Sequence, residues 1–239
     1  MYVMKRLLLL CTLAVCIFSC NHETVNGNGN VVSESRNTGS FRGIKLMGGM
    51  NIDVKAGDKQ SVEIKGEENI LPYVETYIDD GNLVVKYKNN VNINTHEDLN
   101  VYITTASLED VEILGSGDIT GEGRFVNNDE MEIGVMGSGN IRLEVDAPKI
   151  KAKTTGSGSI YLSGNTKNIS CNTMGSGNID AGELKSENAK ATTLGSGDIK
   201  VFASIKIDAT INGSGNIRYS GGGSVSSGTH GGGRIRAAD

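Results

Sequence analysis

The sequence predicts an all-β fold, a single-stranded parallel β-helix (a solenoid) with about 18–22 residues per coil. Three observations predict it. A phrase of Gly-Ser-Gly, one small polar residue and Ile recurs near every 19 residues, and apolar residues alternate at a period of two around each copy. The 239 residues also include 33 Gly but only 2 Pro, which is typical of many tight turns. A fixed period near 20 residues indicates stacked coils, and period-two alternation indicates strands.

The repeated phrase has six clear copies and a worn seventh. The copies begin at Gly115, Gly137, Gly156, Gly175, Gly195, Gly213 and Gly231. Successive first glycines are 22, 19, 19, 20, 18 and 18 residues apart. Mostly apolar or small residues fill the positions six, four and two before that glycine and four and six after it, and Ile stands four after it in every copy. We expect these positions to point inward, with equivalent strands about 4.8 Å apart in successive coils.

The left-handed helix of hexapeptide acyltransferases is the alternative solenoid, because its coils also hold about 18 residues. That fold needs an aliphatic residue at every sixth position. The inward positions found here, four and two before the first glycine and four and six after it, do not follow that spacing. The left-handed form is therefore the weaker interpretation.

The N-terminus carries an export signal. Lys5 and Arg6 precede an apolar run at Leu7–Phe18, which is too short to span a membrane. The run leads into Ile-Phe-Ser-Cys, which resembles the lipobox of bacterial lipoproteins, whose cysteine is lipidated and becomes the new N-terminus. We predict a signal peptide over residues 1–19 and a lipid on Cys20 that holds the protein on a membrane. An ordinary signal peptide, with Cys20 incidental, is the alternative.

Two segments follow the predicted anchor. Residues 20–38 are polar and rich in Asn and Gly, and we interpret them as a flexible tether in which Val31 and Val32 indicate one early strand. Residues 39–239 form the predicted β-helix domain.

The early part of that domain contains an outlying copy of the phrase, at Gly48–Ile52. It precedes Gly115 by 67 residues, a distance of about three coils. We therefore predict irregular early coils over residues 39–110 and regular coils over residues 111–239, since terminal repeats are often atypical.

The cysteine content and the net charge argue against a reactive thiol and against nucleic-acid binding. Of the four cysteines, Cys11 and Cys16 leave with the signal and Cys20 carries the lipid. Only Cys171 remains in the folded part, at a position that holds Ala or Ser in several other coils, so we interpret it as a small buried filler rather than a reactive thiol. The formal net charge is −5 and no basic stripe is present, which argues against nucleic acid as a partner.

The sequence predicts no cofactor, no metal site and no catalytic pair. The histidines, His22, His96 and His230, are too dispersed to form a metal set. Asp118 and Asp198 share the position after GSG, but four coil steps separate them, about 19 Å. Because glycosidase carboxylates lie roughly 5–10 Å apart, these two residues do not predict a hydrolase.

The repeat does mark one candidate binding surface, a row of small polar side chains at the corners. Its members are Ser116, Asp118, Ser138, Asn140, Ser157, Ser159, Ser176, Asn178, Ser196, Asp198, Ser214 and Asn216. As an exposed row, these side chains could bind a glycan or a partner protein. The other interpretation is structural: a small residue between two glycines lets successive corners stack, and polar side chains in turns satisfy backbone groups.

The lipobox, the Gly-rich tether and the recurring GSG phrase together resemble one family, the bacterial putative auto-transporter adhesins with a head-GIN domain. The resemblance covers Ser40–Ile235. It implies a right-handed β-helix similar in shape to pectin lyases, on a lipoprotein of Bacteroidetes-type bacteria, with a role in adhesion. The family has no agreed catalytic residues, so none is carried over.

We therefore predict a non-enzymatic lipoprotein of the cell envelope, anchored to the outer membrane by its N-terminal lipid, that acts as an adhesin or binding module. A glycan or a cell-surface protein is the expected partner. Two alternatives stay open. One is a structural envelope protein that self-associates as a homo-oligomer through a face or an end of the helix, and the other is a carbohydrate-active enzyme on a β-helix.

Overall fold

The computed structural model describes residues 23–238 of the chain. The predicted signal peptide and Cys20 lie outside the described residues. Within residues 23–238 the chain is mostly strand, and no helix there is long and apolar enough to cross a membrane. Its strands stack as a parallel β-solenoid, which confirms the predicted architecture, while the hand of the winding stays a prediction.

The strands fall into an N-terminal set and a regular set. The N-terminal set is β1 (Glu23–Asn26), β2 (Val31–Arg36), β3 (Gly43–Gly48), β4 (Asn51–Ala56), β5 (Ser61–Glu67), β6 (Val74–Asp79), β7 (Asn82–Tyr87), β8 (Val91–Asn94) and β9 (Asn100–Thr105). A 3₁₀ turn at Leu71–Tyr73 joins β5 to β6. The regular set is β10 (Asp110–Gly115), β11 (Ile119–Val126), β12 (Glu130–Gly137), β13 (Asn140–Gly156), β14 (Ser159–Gly175), β15 (Asn178–Gly195), β16 (Ile199–Phe202), β17 (Lys206–Gly213), β18 (Ile217–Ser220), β19 (Ser224–Gly231) and β20 (Ile235–Ala237).

Each coil contributes strand residues before its corner and after it. The residues before the corner stack in a first parallel ladder, in which the first glycine of each phrase pairs with that of the next. The residues after the corner stack in a second parallel ladder, aligned on the Ile that follows GSG. This register confirms the alignment made from the sequence, and it extends to Gly48 and Ile52 of the outlying copy.

The inward positions form the core as predicted. The Ile after GSG is at most 1% exposed in every copy from Ile52 to Ile217. Cys171 is fully buried and pairs in register with Ala152 and Ala191 of the adjacent coils, as expected of a small filler. Burial raises the pKa of its thiol to about 12, and a thiol that stays protonated is a poor nucleophile.

The prediction that about three coils separate the outlying copy from the first clear one is wrong. β3 and β4 stack directly on β10 and β11. Residues 57–109 instead extend the solenoid at its other end, where β7 and β9 pair with the free edges of β3 and β4. The repeat period cannot reveal this arrangement. Residues 57–109 pack on one side of the coil formed by β3 and β4, and the chain then continues on the other side of that coil with β10.

We call β1, β2 and β5–β9 the N-terminal cap. In the cap, β6 pairs antiparallel with β7, and β5 pairs antiparallel with β9, so antiparallel strands close this end of both ladders. The β6–β7 hairpin turns at Asp80 and Gly81, which have φ angles of 48° and 78°. A two-residue hairpin of this kind requires positive φ at both central residues, for which an Asp-Gly pair is well suited.

The prediction of a flexible tether is wrong for residues 23–30, whereas the early strand predicted at Val31 and Val32 is confirmed as β2. β1 pairs with β8, and β2 pairs antiparallel with β5. The buried carboxylate of Glu67 fixes two loops by accepting hydrogen bonds from the N–H groups of Gly29 (2.6 Å) and His96 (2.9 Å). The Asn- and Gly-rich composition indicated a segment that cannot build its own core, but the cap supplies its partners.

Candidate functional site

The glycines of each corner are required by the stacking itself. The carbonyl oxygen of Gly137 accepts hydrogen bonds from the N–H groups of Ser157 (2.9 Å) and Gly158 (3.0 Å) in the next coil, and the other regular corners repeat this arrangement. From Gly115 to Gly231 the first glycine has φ between 114° and 151°, and an added Cβ would lie 2.1–2.6 Å from the carbonyl oxygen of the preceding corner. The two glycines of the phrase are therefore explained by the close stacking of the backbone, independently of anything the corner side chains bind.

The predicted row of corner side chains is present, and much of it is structural. The Asp118 carboxylate accepts hydrogen bonds from the backbone N–H (2.8 Å) and the side-chain amide (2.9 Å) of Asn140 in the next coil. Asp198 accepts the same two bonds from Asn216 (2.8 and 3.0 Å). Ser159 is buried, at 7% exposure. The middle serines of the six clear corners are exposed, so only they form an open hydroxyl row.

The second ladder departs from its register at two β-bulges. Between β11 and β13, Thr120 pairs with Arg142 but Arg124 pairs with Glu144, so β11 holds two extra residues. Between β14 and β15, Tyr161 pairs with Asp180 but Ser163 pairs with Glu183, so β15 holds one extra residue. Bulges bend a strand and redirect its side chains.

An open groove of about 630 Å³ lies on the outer surface of the second ladder and includes residues of both bulged strands. Its lining runs from Gly121 to Ala238, across seven successive coils, or about 29 Å. Its polar and aromatic lining comes from Arg142, Glu144, Tyr161, Asp180, Glu183 and Lys200. We take this surface, named the bulge groove, as the candidate functional site.

Most charges in the bulge groove have partners of opposite sign. Glu144 pairs with Arg124 at 2.6 Å, and Asp180 pairs with Lys200 at 2.6 Å. The guanidinium of Arg142 stacks over the Tyr161 ring, 4.3 Å from its centroid, a cation–π contact. The groove therefore combines a fixed aromatic ring with carboxylates, cations and hydroxyls that can exchange hydrogen bonds with a polar ligand.

The structure does not gather acids for catalysis at the corners. The register places Asp198 four coil steps from Asp118, the separation predicted from the sequence. Both carboxylates instead bind the backbone of the following coil. Among the described residues, no group of three or more His, Cys, Asp or Glu side chains could hold a metal ion.

The bulge groove was missed by reasoning from the sequence, although the sequence carries its signal. The 22-residue and 20-residue steps, which follow Gly115 and Gly175, contain the two bulged strands. Gly121, Gly123 and Gly182 stand inside those strands, and glycine within a strand often marks a bulge. Uneven steps in a repeat therefore locate the places where its surface is modified.

A parallel β-solenoid with an open, polar outer groove and a core of aliphatic rows defines a scaffold for binding at its surface. The chain belongs to the family described as "Putative auto-transporter adhesin, head GIN domain", which it matches over residues 40–223. This finding confirms the resemblance seen in the sequence and supports an adhesin-like binding role at the cell surface. The family is described as one of adhesins and not as a catalytic one.

Solved structures show the same fold. A "putative adhesin" from Bacteroides fragilis is 24% identical, with a TM-score of 0.85 over 90% of this chain and 100% of that one. A "putative lipid binding protein" from Parabacteroides distasonis is 24% identical, with a TM-score of 0.78 over 91% of this chain and 100% of that one. A "putative adhesin" from Parabacteroides merdae is 23% identical, with a TM-score of 0.72 and the same coverage. No curated protein matches the chain.

Proposed function

We propose that the protein is a non-enzymatic adhesin of the bacterial cell envelope, anchored to the outer membrane through a lipid on Cys20, and that it binds a neutral oligosaccharide in the bulge groove. The observation that carries the proposal is the Tyr161 ring, which stacks with Arg142 and lines a groove that crosses seven coils. Membership of an adhesin family supports a binding role.

The chemistry of the bulge groove favours a neutral saccharide. Arg142 covers one face of the Tyr161 ring, and the ring also lines the groove, so the remaining ring surface is available to the apolar face of a sugar. Because Asp180 and Lys200 neutralise each other, the groove offers donors and acceptors without a strong net charge. Its length of about 29 Å suits an extended chain of sugars better than a single one.

The same geometry supports binding rather than turnover. A glycosidase places one protonated carboxyl group and one carboxylate on either side of the bond it cleaves. Of the three carboxylates that line the bulge groove, Glu144 and Asp180 are each ion-paired with a cation at 2.6 Å, so Glu183 lacks a second free carboxylate to act with. We therefore assign them to ligand binding and to the architecture of the groove.

A glycan array probed with residues 21–239, which contain every described strand, tests the saccharide proposal. Binding should be lost in Tyr161→Ala and reduced about tenfold in Asp180→Asn, since one loses the stacking ring and the other a charged acceptor. Ser138→Ala, on the exposed corner row, is the matched control and should bind normally. Binding that survives Tyr161→Ala, or turnover of a bound glycan, would refute the proposal.

Fractionation of cells that express the full chain tests the anchor. The unmodified protein should sediment with the outer membrane, and Cys20→Ala should appear in the soluble fraction because a thioether-linked lipid can no longer form. Cys171→Ala is the control, since that cysteine is buried in the core. Unchanged membrane association of Cys20→Ala would exclude the lipid anchor without affecting the saccharide site.

A further inference from the structure

A second cavity, of about 260 Å³, lies on the outer surface of the first ladder, near the start of its strands. Its floor comes from the buried residues Ile150, Ile169 and Ala189. Its polar rim includes Lys149, Asn168, Asn188, Lys190, Lys206 and Asp208. We call this cavity the lysine pocket. It shares no lining residue with the bulge groove, so either site can be tested without the other.

The lysine pocket lies where one core side chain is smaller than its neighbours. Ala189 pairs in register with Ile169 of the preceding coil and with Ile207 of the next. Because Ala lacks the three carbons that Ile carries beyond Cβ, it leaves space between those two side chains, which gives the cavity its depth. At the rim, the side-chain amide of Asn188 donates a hydrogen bond to the side-chain oxygen of Asn168 at 3.1 Å. This bond holds the two amides side by side over the apolar floor.

The rim of the lysine pocket carries one positive charge in excess. Lys149 is ion-paired with Glu130 of the preceding coil. Within the described part of the chain, Lys190, Lys206 and Asp208 form no ion pair. Two lysines and one aspartate give these three side chains a net charge of +1. A ligand group with a single negative charge complements such a rim.

We propose that the lysine pocket binds an acidic sugar residue, a single ring with hydroxyl groups and one negative charge on a carboxylate or a sulfate ester. The ammonium groups of Lys190 and Lys206 bind the charged group, because hydrogen bonds assisted by charge are the strong ones. The Asn168 amide donates to ring hydroxyls, the Asp208 carboxylate accepts from them, and the CH groups of the ring cover the floor. The cavity of about 260 Å³ is smaller than the roughly 300–1,000 Å³ of pockets that hold drug-sized ligands, so one ring is expected rather than a chain.

Other ligands match the lysine pocket less well. A phosphate group carries about −1.5 to −2 charges at pH 7, which is more than the rim neutralises, and Asp208 would repel it. A free inorganic anion has no apolar surface to cover Ile169 and Ala189. A neutral sugar makes no use of the two lysines. The apolar floor, the paired amides and the single excess charge together therefore favour a singly charged sugar.

Titration of isotope-labelled residues 21–239, followed by the NMR shifts of backbone amides, tests the ligand. The probes are glucuronic acid and a glucose sulfate ester, with glucose as the neutral control. At least one acidic probe should shift the signals of Asn168 and Asn188 and bind about tenfold more tightly than glucose, since a charge-assisted hydrogen bond is roughly twice as strong as a neutral one. Added salt should weaken this binding. Glucose that binds as tightly as both acidic probes, or inorganic phosphate that binds more tightly than either, would overturn the proposal.

Two variants separate the charge from the cavity. Lys190→Gln combined with Lys206→Gln should weaken binding of the acidic probe about tenfold, whereas Lys153→Gln, exposed on the same ladder outside the pocket, should not change it. Ala189→Ile should abolish binding by filling the floor, and the fold should accept it because the adjacent coils hold Ile at the equivalent position. Circular dichroism checks that each variant is folded. Binding that survives Ala189→Ile, or a double lysine variant that binds normally, would place the ligand elsewhere and refute the proposal.

Discussion

The regular coils and the N-terminal cap hold their backbones together in different ways. In the regular coils one corner is repeated, and from Gly115 to Gly195 the first-glycine carbonyl of each corner accepts two N–H groups from the next coil. In the cap, antiparallel strands close the ladders, and the single carboxylate of Glu67 fixes two loops. The coils thus share their stability among many equivalent contacts, whereas the cap depends on contacts that occur once.

The difference follows from the edges of the solenoid. A parallel ladder always ends in a strand with unpaired N–H and C=O groups, which would recruit another chain unless something covers it. A further copy of the repeat cannot remove that edge, because it only moves the edge by one coil. At the N-terminal end, β5 and β6 pair antiparallel with β9 and β7, and β2 pairs with the outer edge of β5, so the outermost strands there no longer continue the parallel register of the repeat.

The largest loss of stability should come from Gly139→Ala in a regular corner. A Cβ there would lie 2.0 Å from the carbonyl oxygen of Gly117, and stacked backbone leaves it no space. We expect the free energy of unfolding to fall by about 3 kcal/mol or more, measured by urea denaturation and circular dichroism. Ser138→Ala, at the exposed position in the same corner, should change it by less than ~0.5 kcal/mol. Equal stability of the two variants would show that the corner tolerates side chains at every position.

A second substitution probes the interior of the same coils. Cys171→Ser should lower the free energy of unfolding by about 2 kcal/mol, because it buries a hydroxyl among aliphatic neighbours. Cys171→Ala should cost about 1 kcal/mol, since Ala152 and Ala191 hold the equivalent position in adjacent coils. Thermal unfolding of the pair gives the order. A serine variant more stable than the alanine variant would mean that water or a polar partner reaches this position.

Glu67→Gln should loosen the cap and leave the coils unchanged. The carboxylate accepts N–H groups of Gly29 and His96, and an amide in its place puts donors where acceptors are needed. Hydrogen exchange of those two N–H groups should become faster, while exchange within β14 and β15 stays the same. Glu63→Gln, at an exposed position of the same strand, is the control. Faster exchange throughout the chain would show that cap and coils open as one unit.

The same carboxylate should make the cap sensitive to acid. Burial raises the pKa of Glu67, but the N–H groups of Gly29, His96 and Glu97 lower it more, and the result lies below the ordinary value of 4.5. Such a group stabilises the fold fully above its unfolded pKa and loses that contribution as the pH falls through its folded pKa. Below about pH 4.5 the cap should therefore lose protection before the coils, in hydrogen exchange corrected for the intrinsic rate. An identical pH profile for Glu67→Gln would exclude this carboxylate as the cause.

The regular coils were predictable because every position is seen several times in the sequence. The alignment of the coils correctly predicted the places of the Ile after GSG, of the small residues at the position of Cys171 and of the paired glycines. It could do so because each coil served as evidence for the next. The bulge groove was less accessible, because it arises where the repeat departs from itself. Its signal was the uneven step length near Gly121 and Gly182, which gives the place of a bulge but not the side chains it brings together.

The cap could not be predicted in this way, for a physical reason. Its strands pair with partners far away in sequence and in both directions, such as β2 with β5, and each pairing occurs once. The Asn- and Gly-rich segment around Gly29 has no core pattern of its own, so its order depends on long-range hydrogen bonds to Glu67, Glu68 and Asn69 and on the pairing of the strands on either side of it. Local composition therefore indicated disorder where long-range contacts provide structure.

The smallest predicted change in stability concerns one boundary between coils, where the coil of β3 and β4, next to the cap, meets the coil of β10 and β11. The N–H of Asp118 donates to the Asn51 side chain (3.3 Å), and the Asp118 carboxylate accepts two bonds from Asn140. Asp118→Ala should cost about 1 kcal/mol, because the exposed donors it releases can bind water. Asp198→Ala removes the same contacts to Asn216, four coil steps away. If this junction is weaker than other coil boundaries, only Asp118→Ala will accelerate hydrogen exchange in the cap. If both variants behave alike, the stack is uniform, and the difference between the regular coils and the cap begins at β5.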